Sequence, residues 1–254
     1  MPAVTGLLAG CDALLRVAGG APLGPPVEPW EPDGDSDQNP WASALEWACA
    51  AAEGSADQDH AARAITEAVN AGGYFHYDDE YGAPHYSEPG SVYLSAALQR
   101  FLRQVRYAPS VNCQDCASFV VSFANLLGCE LYSSRMGPAY DGLLPVSFGF
   151  ALNAHIPIGH LTWDTENDMF RFHEVAWTGA CMDNDLVYDA CLELDDHGSP
   201  YEEPRFPVLP MGMIFSDGST NSPYAYRERL ARPGLVGYDR CLARPETRKR
   251  RRVE

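Results

Sequence analysis

Residues 113–128, CQDCASFVVSFANLLG, decide the fold. Pro109 ends any helix before it, and a run of small and apolar residues then extends to Gly128. Gly128 suits the C′ position, where a left-handed backbone closes a helix. The stretch therefore predicts a buried helix whose first turn begins at Cys113. In a first turn the free N–H groups and the helix dipole favour a thiolate over a thiol, which is what a nucleophilic cysteine requires.

Upstream of this helix the patterns are helical. Residues 41–53 (WASALEWACAAAE) and 60–72 (HAARAITEAVNAG) have high helix propensity, with Leu45, Trp47, Ile65 and Val69 as packing positions. Residues 92–106 (VYLSAALQRFLRQVR) are amphipathic, with Leu94, Leu98, Phe101, Leu102 and Val105 on one side. Gly73–Gly90 has neither periodicity and reads as a long loop. Downstream, short β-like runs at 129–134, 146–152, 169–177, 185–194 and 208–215 are separated by turn residues. Helices followed by strands predict an α+β fold with helix 113–128 packed on an antiparallel sheet; a doubly wound parallel sheet would alternate the two.

Before residue 41 a helix is expected over 6–18, then a Pro-rich linker over Gly19–Pro40, so that 1–40 stands apart from a main domain at 41–240. Leu8-Ala9-Gly10-Cys11 has the shape of a lipoprotein cleavage box but lacks a preceding Lys or Arg and a long enough apolar stretch. The expected location is cytoplasmic, or exported by a route without a cleaved signal peptide. No run approaches the length of a transmembrane helix, so no membrane association is expected.

The formal charge is −17, and five of the 18 basic residues are contiguous at Arg248, Lys249, Arg250, Arg251 and Arg252, leaving 13 against 35 acidic ones. An acidic body of this kind is a poor binder of phosphate backbones, so nucleic acid is not an expected partner. Residues 241–254 read as a basic, disordered tail. Eight cysteines in a chain of 254 residues do not make a dense disulfide framework, and several, such as Cys49 and Cys129, sit in apolar runs that suit reduced, buried thiols.

A thiolate needs a base to share its proton and a third group to orient the base. His173, in Met169–Trp177, lies in a strand pattern, and the next run, Asp185–Leu192, carries Asp189 among apolar residues. Two strands joined by a turn containing Gly179 would be antiparallel neighbours, bringing Asp189 beside His173. Taken alone, His173 reads as a strand histidine satisfied by a carbonyl and Asp189 as an acid near a turn; the ordered set with Cys113 favours chemistry.

Cys113-Gln114-Asp115-Cys116-Ala117, Leu127-Gly128, His173-Glu174-Val175-Ala176-Trp177 and Val187-Tyr188-Asp189, in this order, resemble the core pattern of the transglutaminase-like superfamily of papain-related enzymes. The resemblance covers roughly residues 93–195. It implies Cys113 as nucleophile, His173 as general base and acid, and Asp189 as the orienting carboxylate. It also implies acyl transfer through a thioester, with hydrolysis of a peptide or amide bond as the preferred outcome and a protein or peptide as the partner. Transglutamination or protein deamidation, as by a delivered toxin, is an alternative use of the same residues. The arylamine acetyltransferase motif around the acid is absent.

Cys116 is the rival nucleophile. An oxyanion needs preorganised donors, and the candidates are the Cys113 N–H and the side chains of Asn112, Gln114 and Gln104. Cys113 and Cys116 also form a CxxC, which in a structural zinc protein would want a second close pair; His155 with His160 and Cys181 with Cys191 are loosely spaced for it. A binding module without catalysis is the remaining alternative. No cofactor or metal is expected, and no oligomeric state is implied.

Overall fold

A computed structural model of the protein describes Val27 and residues 41–71, 73–103, 110–138, 149–165, 169–196, 203–219, 222, 224–235 and 237–254. The expected helix 6–18, Gln104 and Val105 lie outside these residues, as does the expected linker apart from Val27, whose N–H donates to the Asn125 carbonyl. The helices are α1 (Ala42–Ala51), α2 (Gln58–Ala71), α3 (Leu94–Arg103) and α4 (Cys113–Leu126), with the two-residue strand β1 (Ser91–Val92) before α3. There follow β2 (Tyr132–Gly137), β3 (Phe150–Ala151), β4 (His155–Pro157), β5 (Met169–Phe170), β6 (His173–Trp177), β7 (Leu186–Tyr188) and β8 (Leu192–Asp195). The last elements are β9 (Pro207–Val208), β10 (Met211–Ile214), the short α5 (Tyr226–Leu230), β11 (Leu242–Lys249) and β12 (Arg252–Val253).

The architecture is α+β. A five-stranded sheet in the order β10-β7-β6-β2-β11, antiparallel at every pairing, carries α4 against β6 and β2, and α1 and α2 pack on α4 in turn. The smaller sheets are β4-β8-β9, β3-β5 and a parallel β1-β12 pair. No helix among the described residues is long and apolar enough to cross a membrane.

The central helix is fixed at both ends by its own sequence. At the C-terminus Gly128 has φ 83°, its N–H donates to Asn125 O, and the Cys129 N–H reaches back to Ala124 O, the paired bonds of a Schellman motif. Along its length Phe119 and Phe123, both fully buried, meet an aromatic cluster in which Trp47 lies 4.3 Å from Phe123 and 4.5 Å from Phe101, and Phe75 lies 5.3 Å from Phe119. Buried side chains of this size each contribute on the order of 1.5–3 kcal/mol, so the aromatic contacts hold α4 more firmly than propensity could. Leu102 departs from the expected apolar side of α3: it is 53% exposed, while Leu94, Leu98 and Phe101 are buried.

The segment 241–254 is not a tail. It forms β11 beside β2 and β12 beside β1. The basic run is ordered because its charges have partners. Arg251, 3% exposed, places Nη1 2.7 Å from Glu174 Oε1 and donates to Ser118 Oγ (2.8 Å), Ser133 Oγ (3.1 Å) and Glu88 O (2.8 Å). Arg135 Nε and Lys249 Nζ lie 3.1 and 3.4 Å from the other Glu174 oxygen. Arg248 and Arg250 lie over the Tyr132 ring. Counting charges made the stretch look solvated, whereas a buried acid, placed by β6, draws it inward.

Glu174 consequently has a pH signature. Burial alone would raise its carboxyl, but Arg251 and Lys249 outweigh that and hold it at about 2, below the ordinary 4.5. Its stabilising contribution is complete above about pH 4.5 and is lost as pH falls towards about 2. Urea unfolding followed across that window should show a steep loss of stability in the wild type and a shallower one in Glu174→Gln. Equal slopes would place the acid sensitivity elsewhere.

Candidate active site around Cys113

Cys113 begins α4 because its neighbours cap the helix. Asn112 has an extended backbone, and its Oδ1 accepts from the N–H groups of Gln114 (2.9 Å) and Asp115 (3.2 Å). Asp115 completes a capping box by accepting the Asn112 N–H. The Asp115 carboxylate also takes the His85 N–H (2.8 Å), the Tyr86 N–H (3.0 Å) and the Ser87 hydroxyl (2.7 Å). Burial pushes this carboxyl up despite those donors. The Cys116 N–H donates to the Asn112 carbonyl, so the Cys113 N–H is the first-turn donor that the cap leaves unused.

Two of the side chains expected as oxyanion donors are partly engaged elsewhere. Asn112 spends its oxygen on the cap and one amide N–H on Gly82 O at 2.9 Å, which leaves its second amide N–H as the donor it could offer an oxyanion. Gln114 presents its oxygen to Arg135 and Arg251, at 3.2 and 3.3 Å, so only its amide nitrogen remains suited to an oxyanion.

His173 opens β6, whose antiparallel register with β7 pairs Ala176 with Tyr188 and Trp177 with Val187. Continuing that register would place Asp189 opposite Val175, on the same face as His173 and one diagonal step away. The side chains meet along that diagonal, with His173 Nε2 2.9 Å from Asp189 Oδ2. Pairing stops at this point because the Asp189 N–H turns to Pro210 O and the Cys191 N–H donates to Asp189 Oδ1 at 2.8 Å. The expected run 185–194 therefore divides into β7 and β8 around the carboxylate.

Burial of His173 opposes its protonation, but the Asp189 charge and hydrogen bond, with Cys113 adding to them, raise its pKa to about 10. The pair thus favours the imidazolium form of His173. Its Nδ1 is buried and has no well-aligned hydrogen-bond partner among the described residues, while the Cys113 side chain lies close enough to add both a hydrogen-bonding and a charge interaction that favour the protonated ring. The three residues are well enclosed: Cys113 is 5% exposed, Asp189 1% and His173 0%.

Cys116 lies deeper, 1% exposed, with Cys191 beside it; burial pushes both thiols up, against the requirements of a nucleophile. Among the described residues Cys113 and Cys116 do not converge with a third metal ligand. Cys49, expected as a reduced thiol, is disulfide-bonded, whereas Cys113, Cys116, Cys129, Cys181, Cys191 and Cys241 are free.

No protein-family model, curated protein or solved structure matches the chain. What the site can do is read from its own geometry. A cavity of about 500 Å³ bounded by Gln58, Asp59, Tyr132, Tyr188 and Arg248 is lined by none of the three central residues.

Three neighbours escaped the sequence reading. The Tyr226 hydroxyl donates to Asp189 Oδ2 at 2.7 Å, giving the oxygen that faces His173 a second donor. It comes from a short polar segment with no periodic signal. His155, considered only as a zinc ligand, is buried near His173 and Asp189 with its Nδ1 on Asn153 O; burial lowers its pKa and favours the neutral ring. Tyr77, inside the loop expected at 73–90, is within electrostatic reach of Cys113, Cys116 and Cys191.

Proposed function

We propose that this chain is a cysteine-nucleophile acyl-transfer enzyme of transglutaminase-like, papain-related type that hydrolyses a peptide or amide bond. The observation that carries the reading is the enclosed His173–Asp189 pair, 2.9 Å apart, with the Cys113 side chain acting on the same imidazole from the start of a capped helix.

The Cys113 thiolate attacks the carbonyl carbon, and the C–S bond forms as the carbonyl π electrons move onto oxygen. The Cys113 N–H and the Asn112 and Gln114 amides are the donors nearest in sequence to receive that charge. Collapse breaks the C–N bond, and His173 gives its proton to the departing amine. Water then attacks the thioester, His173 takes the water proton, and the C–S bond breaks to restore the thiolate. Asp189, held by Tyr226 and the Cys191 N–H, keeps the imidazole in one orientation throughout.

The test is alkylation. Iodoacetamide near neutral pH should modify Cys113 ahead of the five other free cysteines, and His173→Ala should abolish that preference. A wild-type rate no faster than that of an ordinary surface thiol, or one unchanged by His173→Ala, would count against the reading.

A further inference from the structure

Away from the Cys113 sulfur, the loop 73–90 and the turn after β4 bring together side chains that the proposed chemistry does not use. His76, Asp79 and His160 each offer a ligand atom, all within 4.8 Å of one another. From this arrangement we infer that the three residues form a binding site for a divalent first-row transition ion, with Zn²⁺ the best match.

The donor set is two imidazoles and one carboxylate, a combination that leaves a fourth position to water and suits a borderline-soft ion rather than Ca²⁺ or Mg²⁺. His160 Nε2 stands 3.2 Å from Asp79 Oδ2. Ligand atoms at about 2.0–2.1 Å from a tetrahedral zinc are about 3.3 Å apart, so this pair already has the spacing of two ligands. The same nitrogen is buried and meets no hydrogen-bond partner in good geometry among the described residues.

The tautomer of the other ring is set in the direction a metal needs. His76 Nδ1 lies 2.8 Å from Tyr77 O, and since a carbonyl can only accept, Nδ1 carries the hydrogen and the lone pair is on Nε2. The two rings face each other with centroids 4.3 Å apart.

The backbone holds the two segments in register. Tyr77 N–H donates to Ile158 O at 2.9 Å, and His160 N–H closes a turn on Pro157 O at 3.0 Å. Between them Gly159 has φ 82°, and a Cβ there would fall 2.4 Å from Phe75 O and 2.8 Å from the His76 Cα. Only glycine lets the His160 turn come this close to His76. Tyr77, between His76 and Asp79, is within electrostatic reach of Cys113, so an ion at this site would hold a segment that the thiol feels.

The site can be tested independently of any catalytic role, on the full chain, by titration with Co²⁺ followed by visible absorption and with Zn²⁺ followed by calorimetry. One equivalent of each ion should bind, the Co²⁺ spectrum should lack a thiolate charge-transfer band, and Zn²⁺ should raise the thermal unfolding midpoint. His76→Ala, at an exposed position, and Asp79→Asn should each weaken binding about 100-fold or more, since loss of even an outer-shell partner of a ligand costs 10–100-fold. Cys116→Ser should leave binding unchanged. Absence of binding, affinity unaltered in both His76→Ala and Asp79→Asn, or a charge-transfer band lost in Cys116→Ser would each overturn the assignment.

Discussion

Exchange of Asp189 for alanine is expected to lower folding stability by about 3–5 kcal/mol, because it leaves one member of a buried charged pair without the other. His173 has no exposed surface, so burial opposes its protonation, and the carboxylate is what overcomes that. Without Asp189 the imidazole pKa should fall from about 10 towards and below the ordinary 6.5, so that the ring is neutral at pH 7. Alkylation of Cys113 at that pH should then slow by about 100-fold, the scale on which a positioned acid or base contributes.

The pH dependence has a definite sign. Because the folded pKa is raised, the pair's contribution is fully present below about pH 6.5 and disappears as pH rises through about 10. Stability curves of wild type and Asp189→Ala should therefore converge on the alkaline side. Asp189→Asn keeps the shape and separates charge from volume. An imidazole titration in Asp189→Ala indistinguishable from wild type would show that the carboxylate does not govern His173.

The second large effect is expected at Arg251. Its replacement by alanine leaves Glu174, 0% exposed, with Arg135 and Lys249 and without its shortest ion pair. It also removes donors from Ser118 and Gln114 on α4. A loss of about 3 kcal/mol or more follows from breaking a buried pair from one side. Arg251→Lys retains the charge but not the forked guanidinium, and should fall between. Denaturant unfolding measures both; an Arg251→Ala protein within about 0.5 kcal/mol of wild type, the range of ordinary surface substitutions, would mean that the cluster is not structural.

The helical elements were legible because their signals are local. Propensity and periodicity placed α1 to α4, and Gly128 announced the end of α4 through the one conformation that glycine supplies cheaply. The pairing of His173 with Asp189 was legible from two short strands and a turn. What was not legible depended on partners far along the chain. Arg251 reads as one of five solvated cations until β6 places Glu174 against it, and Tyr226 reads as part of a polar loop until its hydroxyl meets Asp189. Asn112 stood out as an oxyanion candidate, but nothing in its local sequence showed that its position one residue before the helix commits its oxygen to the cap.

The residues on either side of Cys113 have one more consequence. Asn112 and Asp115 are bonded at once to the helix start and to Gly82, His85, Tyr86 and Ser87. Lifting that loop and loosening the first turn of α4 are therefore parts of the same equilibrium. By linkage, whatever shifts one must shift the other by the same free energy. Accessibility and placement of the thiol are not separate properties here: a molecule that pries the loop open also loosens the helix start that holds the sulfur, and one that reinforces the loop steadies it.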